Sequence, residues 1–399
     1  MVKLDLVRSY NAALVQTQSL VAVFVGATSG IGRATLYALA KVHGEHTKNN
    51  GQGNGQGNGQ SNAQSLRAYV VGRKRAAVEA IISECERLCP AGRFVFVQAH
   101  DLSLLEEVDR VCADITRMEH DEAAAEAEAE TAGGGAPARV DLLCMSQGDF
   151  TFEPRKDTTE GLEFRISLLY YSRMKFAVNL LPLLRASSLP AHIISVFGAG
   201  KEGQLDVDDL LLRSGGHFSM ASMRSHVVYM TTFFMEYLAA QNPGHLSLVH
   251  VFPGLIMTEA FQNLGVPAWA RLLWSLLAPV TSWFTTPVAE CGERMLFLAS
   301  PQRFPARGSG QASGDMDPPR VSSASAGAGA KPGASNPIDI ATGSDGILGS
   351  GAYAVGSDGE TVRNEQAYEK HRAQGVGEKL VAHTLKAFED IKASKVFTG

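Results

Sequence analysis

The sequence predicts an α/β protein built on a doubly wound parallel sheet, and three observations carry that reading. Short apolar runs rich in β-branched residues alternate with segments of helical period from Leu20 to Phe252. The runs lack the polar–apolar alternation of a half-exposed sheet, so they read as strands covered on both faces. The first run ends in a glycine cluster, Val25 to Gly32 (VGATSGIG), that opens a helix.

Each element follows in order. Leu20 to Val25 (LVAVFV) is the first strand and Ile31 to Val42 the first helix. Arg67 to Val71 and Ala76 to Leu88 form a second strand–helix pair, and Phe94 to Gln98 with Ser103 to Met118 a third. Val140 to Met145 is the fourth strand, followed by one long helix from Gly161 to Arg185. His192 to Phe197 and Ser219 to Ala240 form the next pair, and Leu246 to Phe252 is the sixth strand. Strict alternation implies parallel order, because successive parallel strands need a crossover.

Three segments interrupt the pattern. Asn49 to Ser65 is a Gly/Asn/Gln repeat and reads as a disordered surface loop. Glu119 to Arg139 is Ala/Glu-rich, then Gly-rich; it is compatible with an extension of the preceding helix and contributes little core. Arg303 to Pro337 is rich in Pro, Gly, Ser and Ala and reads as disordered. Beyond it, Gly351 to Val362 has the pattern of a hairpin turning at Asp358–Gly359, and Asn364 to Lys392 that of an amphipathic helix. The expected organisation is one domain over residues 1–300 with insertions near 49–65 and 119–139, a disordered linker over 301–350, and a hairpin and helix over 351–399 docking on the core as a cap.

Composition excludes several functions. The net charge is -5, which argues against a nucleic-acid surface, since that needs a clustered basic face. Five scattered cysteines, with Cys85 and Cys89 in one helical stretch, lack the spacing of a zinc site and read as reduced thiols; no metal is expected. Residues 1–18 are too polar for a secretory signal, and the apolar stretch from Trp269 to Phe284 contains Arg271 and Pro279 and is too short to span a bilayer. A cytoplasmic protein is expected.

The glycine cluster carries the first function. Gly26, Gly30 and Gly32 stand at offsets of zero, four and six between a strand and a helix. Gly26 permits the tight turn, Gly30 close approach to a phosphate, and Gly32 close helix–strand packing. The helix that follows points its amide end at a pyrophosphate. Thr28, Ser29 and Ile31 complete the turn.

This spacing resembles the short-chain dehydrogenase/reductases, a Rossmann-fold family, over Leu20 to about Ser300. Asp101–Leu102 stand after the third strand, where the family places an Asp at the adenine. Ser146–Gln147–Gly148 follow the fourth strand in place of Asn-Asn-Ala-Gly. Pro253, Gly254 and Thr258 match the Pro-Gly-x-x-x-Thr that contacts the nicotinamide carboxamide. FVGATSGIGRATL and LLYYSRMKFAVNLLPLL are similar to a divergent branch common among fungal secondary-metabolism reductases.

The second strand ends Val71-Gly72-Arg73-Lys74-Arg75, with no carboxylate for a ribose 2′-hydroxyl. Arg73 suits a 2′-phosphate, so NADP(H) is the expected cofactor. Cations that merely capped the next helix would oppose its dipole.

The resemblance also implies a Ser, a Tyr and a Lys for proton transfer, and here this chain departs. The Ser position falls at about Phe197–Gly198, and the Tyr and Lys positions on Ser219 and Met223. Arg224 could supply a cation but no proton. A Tyr-x-x-x-Lys does occur at Tyr171 and Lys175, on the long helix that carries the family's active-site Asn, so the expected catalytic pair is Tyr171 and Lys175, with packing as the rival reading. His226 and Tyr229 are weaker candidates.

Glu259 to Phe284 is expected to form a substrate lid; Trp269, Trp274 and Trp283 fit a bulky apolar substrate, or equally a subunit contact or core. Leu180, Leu181, Leu183 and Leu184 fit a homodimer seam or plain core. The expected activity is NADP(H)-dependent reduction of a carbonyl, or oxidation of an alcohol, on an apolar metabolite. The alternatives are a non-catalytic NADP(H)-binding sensor and a reductase that takes its proton from water or substrate.

Overall fold

A computed structural model of the chain describes residues 1–52, 64–129, 136–149, 151, 153–254, 256, 286–309 and 338–399. Seven strands form one sheet in the order β3-β2-β1-β4-β5-β6-β7: β1 (Leu20–Val25), β2 (Leu66–Gly72), β3 (Arg93–Gln98), β4 (Leu142–Met145), β5 (Ala191–Val196), β6 (Leu246–Val251) and β7 (Ala352–Val355). Every pairing is parallel. All strands except β3 are buried along their whole length, because helices cover both faces.

The helices divide into two layers. Helices α1 (Leu4–Thr17), α2 (Gly30–Gln52) and α3 (Arg75–Leu88) lie on one face. On the other lie α4 (Leu105–Ala129), the long segmented helix α5 (Phe164–Ile166), α6 (Ser172–Asn179) and α7 (Leu181–Arg185), and then α8 (Met220–Gln241). Helix α9 (Val288–Phe297) packs with the α2 layer, whereas α10 (Glu365–Ala373) and α11 (Val376–Lys392) join the α8 layer. Strand β1 shows how one sequence serves both layers: Ala22 and Phe24 enter one core, Val23 and Val25 the other.

Several expectations change in detail. The segment read as a hairpin contributes β7, the seventh parallel strand; its turn closes with a single antiparallel bridge between Val355 and Thr361. The final helix breaks into α10 and α11 at Gly375, whose φ of 66° is a left-handed cap. The long helix is interrupted twice. Residues Ser167–Tyr171 form a π turn, and Pro182, which has no N–H to donate, separates α6 from α7. Helix α2 runs on to Gln52, into the repeat read as a loop. Arg303, Phe304 and Ala306 are buried, although composition placed them in a linker. Helix α4 extends to Ala129, and Glu119, in the stretch expected to add little core, is completely buried. Leu180, Leu183 and Leu184 are buried within the monomer and serve its core. All five cysteines are free and buried, and burial pushes the Cys85 and Cys89 thiols up.

Glu119 accepts from Arg67 Nε and Nη2, both at 2.8 Å, and from Tyr69 Oη at 2.8 Å. This bidentate pair ties α4 to β2. Removing its carboxylate leaves the buried guanidinium with Glu126 alone, 2.6 Å from Nη1, and the Tyr69 hydroxyl without this acceptor, which costs up to about 3–5 kcal/mol. Glu119→Ala should therefore lower the urea midpoint with an unchanged slope, measured by equilibrium unfolding.

Burial also holds His192 and His383 neutral, their pKa pushed down to about 4 in each case. The unfolded chain protonates these groups near 6.5, so below that pH it binds more protons than the folded chain. Stability should hold above pH 6.5 and fall as pH drops towards about 4. An unfolding midpoint that stays flat across that window would contradict the assignment.

Candidate active site

The strand order reverses between β1 and β4, and the crevice outside their C-terminal ends is where an open α/β sheet binds its ligand. The glycine turn lies there. Gly26 and Gly30 have φ of 88° and 57°, in the left-handed region. A methyl group on Gly26 would stand 2.4 Å from the Gln147 backbone nitrogen, and one on Gly32 would stand 2.3 Å from Ser146 Oγ. The turn thus lies flush against the loop leaving β4. Ser146 Oγ donates to the Gly26 carbonyl at 3.2 Å, across the same seam. Helix α2 starts at Gly30, so its free amide end opens into the crevice. Thr28, Ser29 and Ile31 are partly exposed on this turn. The site has the shape and the donors of a pyrophosphate cradle.

The end of β2 lies beside it. A methyl on Gly72 would stand 2.8 Å from Thr28 Cγ2. Arg73 and Lys74 follow, both exposed, and Arg73 forms no ion pair among the described residues. Arg75 instead stacks over Phe96 at 4.7 Å and pairs with Glu79 at 3.5 Å. Asp101 is exposed, but its Oδ1 accepts from Ser103 N at 2.9 Å and Ser103 Oγ at 2.6 Å, closing a turn just before α4, whose first amides, Leu105 N and Glu106 N, donate to the Glu160 carboxylate; Leu102 is buried. Gly148 is exposed after β4. Pro253 and Gly254 follow β6, with Gly254 at φ 85°. Thr258 and the segment holding Trp269, Trp274 and Trp283 lie outside the described residues.

The expected catalytic pair is brought together with other partners. Tyr171 is fully buried, its hydroxyl 2.7 Å from His383 Nε2 on α11. Burial and the neighbouring Tyr170 push its phenol well above the ordinary value, which makes it a poor proton donor. Lys175 pairs with Asp109 at 3.0 Å and its ammonium stands over the Phe388 ring. Both side chains are committed to the α4–α11 interface. His226 bridges the Asp206 N–H and the Leu210 carbonyl, and the Tyr229 hydroxyl donates to Gly203 O. Ser219 caps α8, accepting from Ser222 N at 3.0 Å; Met223 is buried, and Arg224 is exposed.

The side chain that does reach the crevice floor is Arg173, two residues beyond Tyr171 and so on the opposite face of the helix. It is almost completely buried. Its Nη1 donates to Ser195 Oγ at 2.9 Å and to the Val196 carbonyl at 2.8 Å, and its Nη2 to the Gln147 carbonyl at 2.5 Å. Among the described residues it has no carboxylate partner. Burial draws its pKa down to about 9, so it stays charged at neutral pH. His250 on β6 lies in the same buried layer. Its Nε2 accepts from the Gly198 N–H at 3.3 Å, and Nδ1 is 3.1 Å from Thr232 Oγ1. Burial, reinforced by Arg173, pushes His250 down to about 3, so the imidazole is neutral. Further out, the Lys201 ammonium stands 4.7 Å from the centre of the Phe252 ring. Sequence reading passed over Arg173, yet a signal was present: a cation inside the apolar LLYYSRMKFAV, with no acidic residue one turn away.

No protein-family model matches the chain. It is 33% identical to a short-chain dehydrogenase/reductase of Stachybotrys chartarum over 98% of this chain and 98% of the relative. It is 32% identical to an oxidoreductase of Emericella nidulans over 96% of this chain and 97% of the relative. Among solved structures, L-sorbose reductase from Gluconobacter frateurii is similar with a TM-score of 0.46 at 18% identity, over 71% of this chain and 90% of that one. With the first relative matching almost end to end, on a parallel sheet whose glycine turn faces the switch-point crevice, the chain belongs to the short-chain dehydrogenase/reductase family.

Proposed function

We propose that this oxidoreductase uses NADP(H) to reduce a carbonyl, or oxidise an alcohol, on an apolar small metabolite. One observation carries the cofactor choice. Arg73, exposed and without an ion pair among the described residues, follows Gly72 beside the glycine turn, where an acidic residue would read a ribose hydroxyl. A guanidinium there matches a 2′-phosphate bidentately. Gly26, Thr28, Ser29, Gly30, Ile31 and Gly32 would hold the pyrophosphate, with Asp101 and Leu102 towards the adenine. Gly148, Pro253, Gly254 and Thr258 would border the nicotinamide. The bound dinucleotide supplies or accepts the hydride. The apolar substrate class rests on the tryptophan-rich sequence from Glu259 to Phe284.

Family membership favours turnover over the sensor reading. The proton then needs a source other than the Tyr171 hydroxyl, which is buried and bonded to His383. Water or a substrate group entering the open crevice fits that requirement.

Two measurements test these readings. Fluorescence titration should find NADPH bound about ten-fold or more tighter than NADH, and Arg73→Ala should weaken NADPH by about 10- to 100-fold, the loss of a charge-assisted contact. Binding of NADH should be unaffected. Equal loss for both nucleotides removes the 2′-phosphate assignment. Tyr171→Phe keeps the ring and deletes one hydrogen bond of about 1 kcal/mol, so it should lower the melting temperature slightly and leave turnover intact. If turnover disappears while NADPH still binds, Tyr171 is the proton donor after all.

A further inference from the structure

A buried charge is costly unless it is paired, yet Arg173 is kept with dipoles alone as partners. Those partners are not scattered. The Gln147 carbonyl belongs to the loop leaving β4, one residue before Gly148, and the Val196 carbonyl and Ser195 hydroxyl belong to the end of β5. The adjacent Ser172 Oγ is 3.5 Å from Gln147 Nε2. Behind these loops, His250 fixes the Gly198 amide. One guanidinium thus sets the relative positions of the two loops that floor the second mononucleotide half of the sheet.

A π turn at Ser167–Tyr171, closed by the Ser172 N–H donating to the Ser167 carbonyl, stands directly before Arg173. Turns of this kind are rare and frequent at functional sites.

We propose that Arg173 is the positioning cation of the active site. It holds the β4 and β5 loops in the geometry that receives the nicotinamide half of the dinucleotide. It also sets a fixed positive charge beneath that half, where Met223 stands in place of the family's lysine. This rests on the dinucleotide reading above. Arg173 is too buried to touch a ligand, so it acts through Gln147, Val196 and the field it imposes.

The test separates the two halves of the cofactor. The probes are NADPH, which carries both halves, and adenosine 2′,5′-bisphosphate, which carries only the half read by Arg73 and the glycine turn. Arg173→Met should weaken NADPH by about ten-fold or more while leaving adenosine 2′,5′-bisphosphate within about twofold of the unsubstituted protein. Arg173→Lys keeps the charge and should fall between them; it carries the same comparison if the methionine variant fails to fold. Equal weakening of both probes in a folded variant would reduce Arg173 to a structural residue, and no weakening of either would overturn the proposal outright. If the unsubstituted protein binds neither probe, the dinucleotide reading itself fails, an outcome distinct from both.

Discussion

No side chain fits between Gly26 and Gln147, and the architecture of the crevice depends on that exclusion. A single methyl would stand 2.4 Å from the Gln147 nitrogen, so the first turn and the loop leaving β4 meet backbone to backbone. They meet where the strand order reverses. The contact therefore fixes the amide end of α2 against the second half of the sheet. Ser146 reinforces it from one side by bonding the Gly26 carbonyl, and Arg173 from below by bonding the Gln147 carbonyl. A larger residue at Gly26 or Gly32 would have to open this seam.

Three buried arginines show how differently one side chain can be accommodated. Arg67 is neutralised by Glu119 in a bidentate pair. Arg165 combines the Glu163 carboxylate with the carbonyls of Thr151, Glu153 and Pro154, and so gathers the loop ahead of the long helix. Arg173 has carbonyl and hydroxyl oxygens alone. The first two are stable by local charge balance. The third keeps a net positive charge in a low-dielectric layer, and it adds to the burial that holds His250 neutral. A guanidinium so placed would contribute little to stability compared with a well-packed apolar side chain.

Much of the sheet was legible because parallel strands covered on both faces are continuous apolar runs. Strand β1 begins and ends where LVAVFV does, and β2 to β6 fall within two residues of their expected limits. Interruptions were harder to read. The π turn leaves no mark in the periodicity of SLLYY, since every residue there is apolar or small. β7 was mistaken for a hairpin because Asp358–Gly359 does make a tight turn, while its partner, β6, is about a hundred residues distant in sequence. Short Ala352–Val355 carries no sign of which strand it will join. At the site, the glycine turn between β1 and α2 could be read locally, whereas the surroundings of Tyr171 and Lys175 could not. Their spacing is the same whether the face they share meets a substrate or α11, and the sequence of α11 begins some two hundred residues later.

The missing lysine and the buried arginine belong to one electrostatic question. Hydride transfer to a carbonyl builds negative charge on oxygen, and a site is faster if fixed positive charge already points at that atom. Where the family places its tyrosine and lysine, this chain has a helix cap, Ser219, and a core residue, Met223. The strand ends keep a positive charge nonetheless, because Arg173 supplies one from the neighbouring helix. A lysine at the family's position would touch both ribose and tyrosine. Arg173 touches neither, being sealed beneath the loops, so it can shape the field and the backbone but cannot relay a proton. Under the proposed function, charge stabilisation and proton supply would be separated: the first would stay with the protein, and the second would pass to whatever enters the crevice.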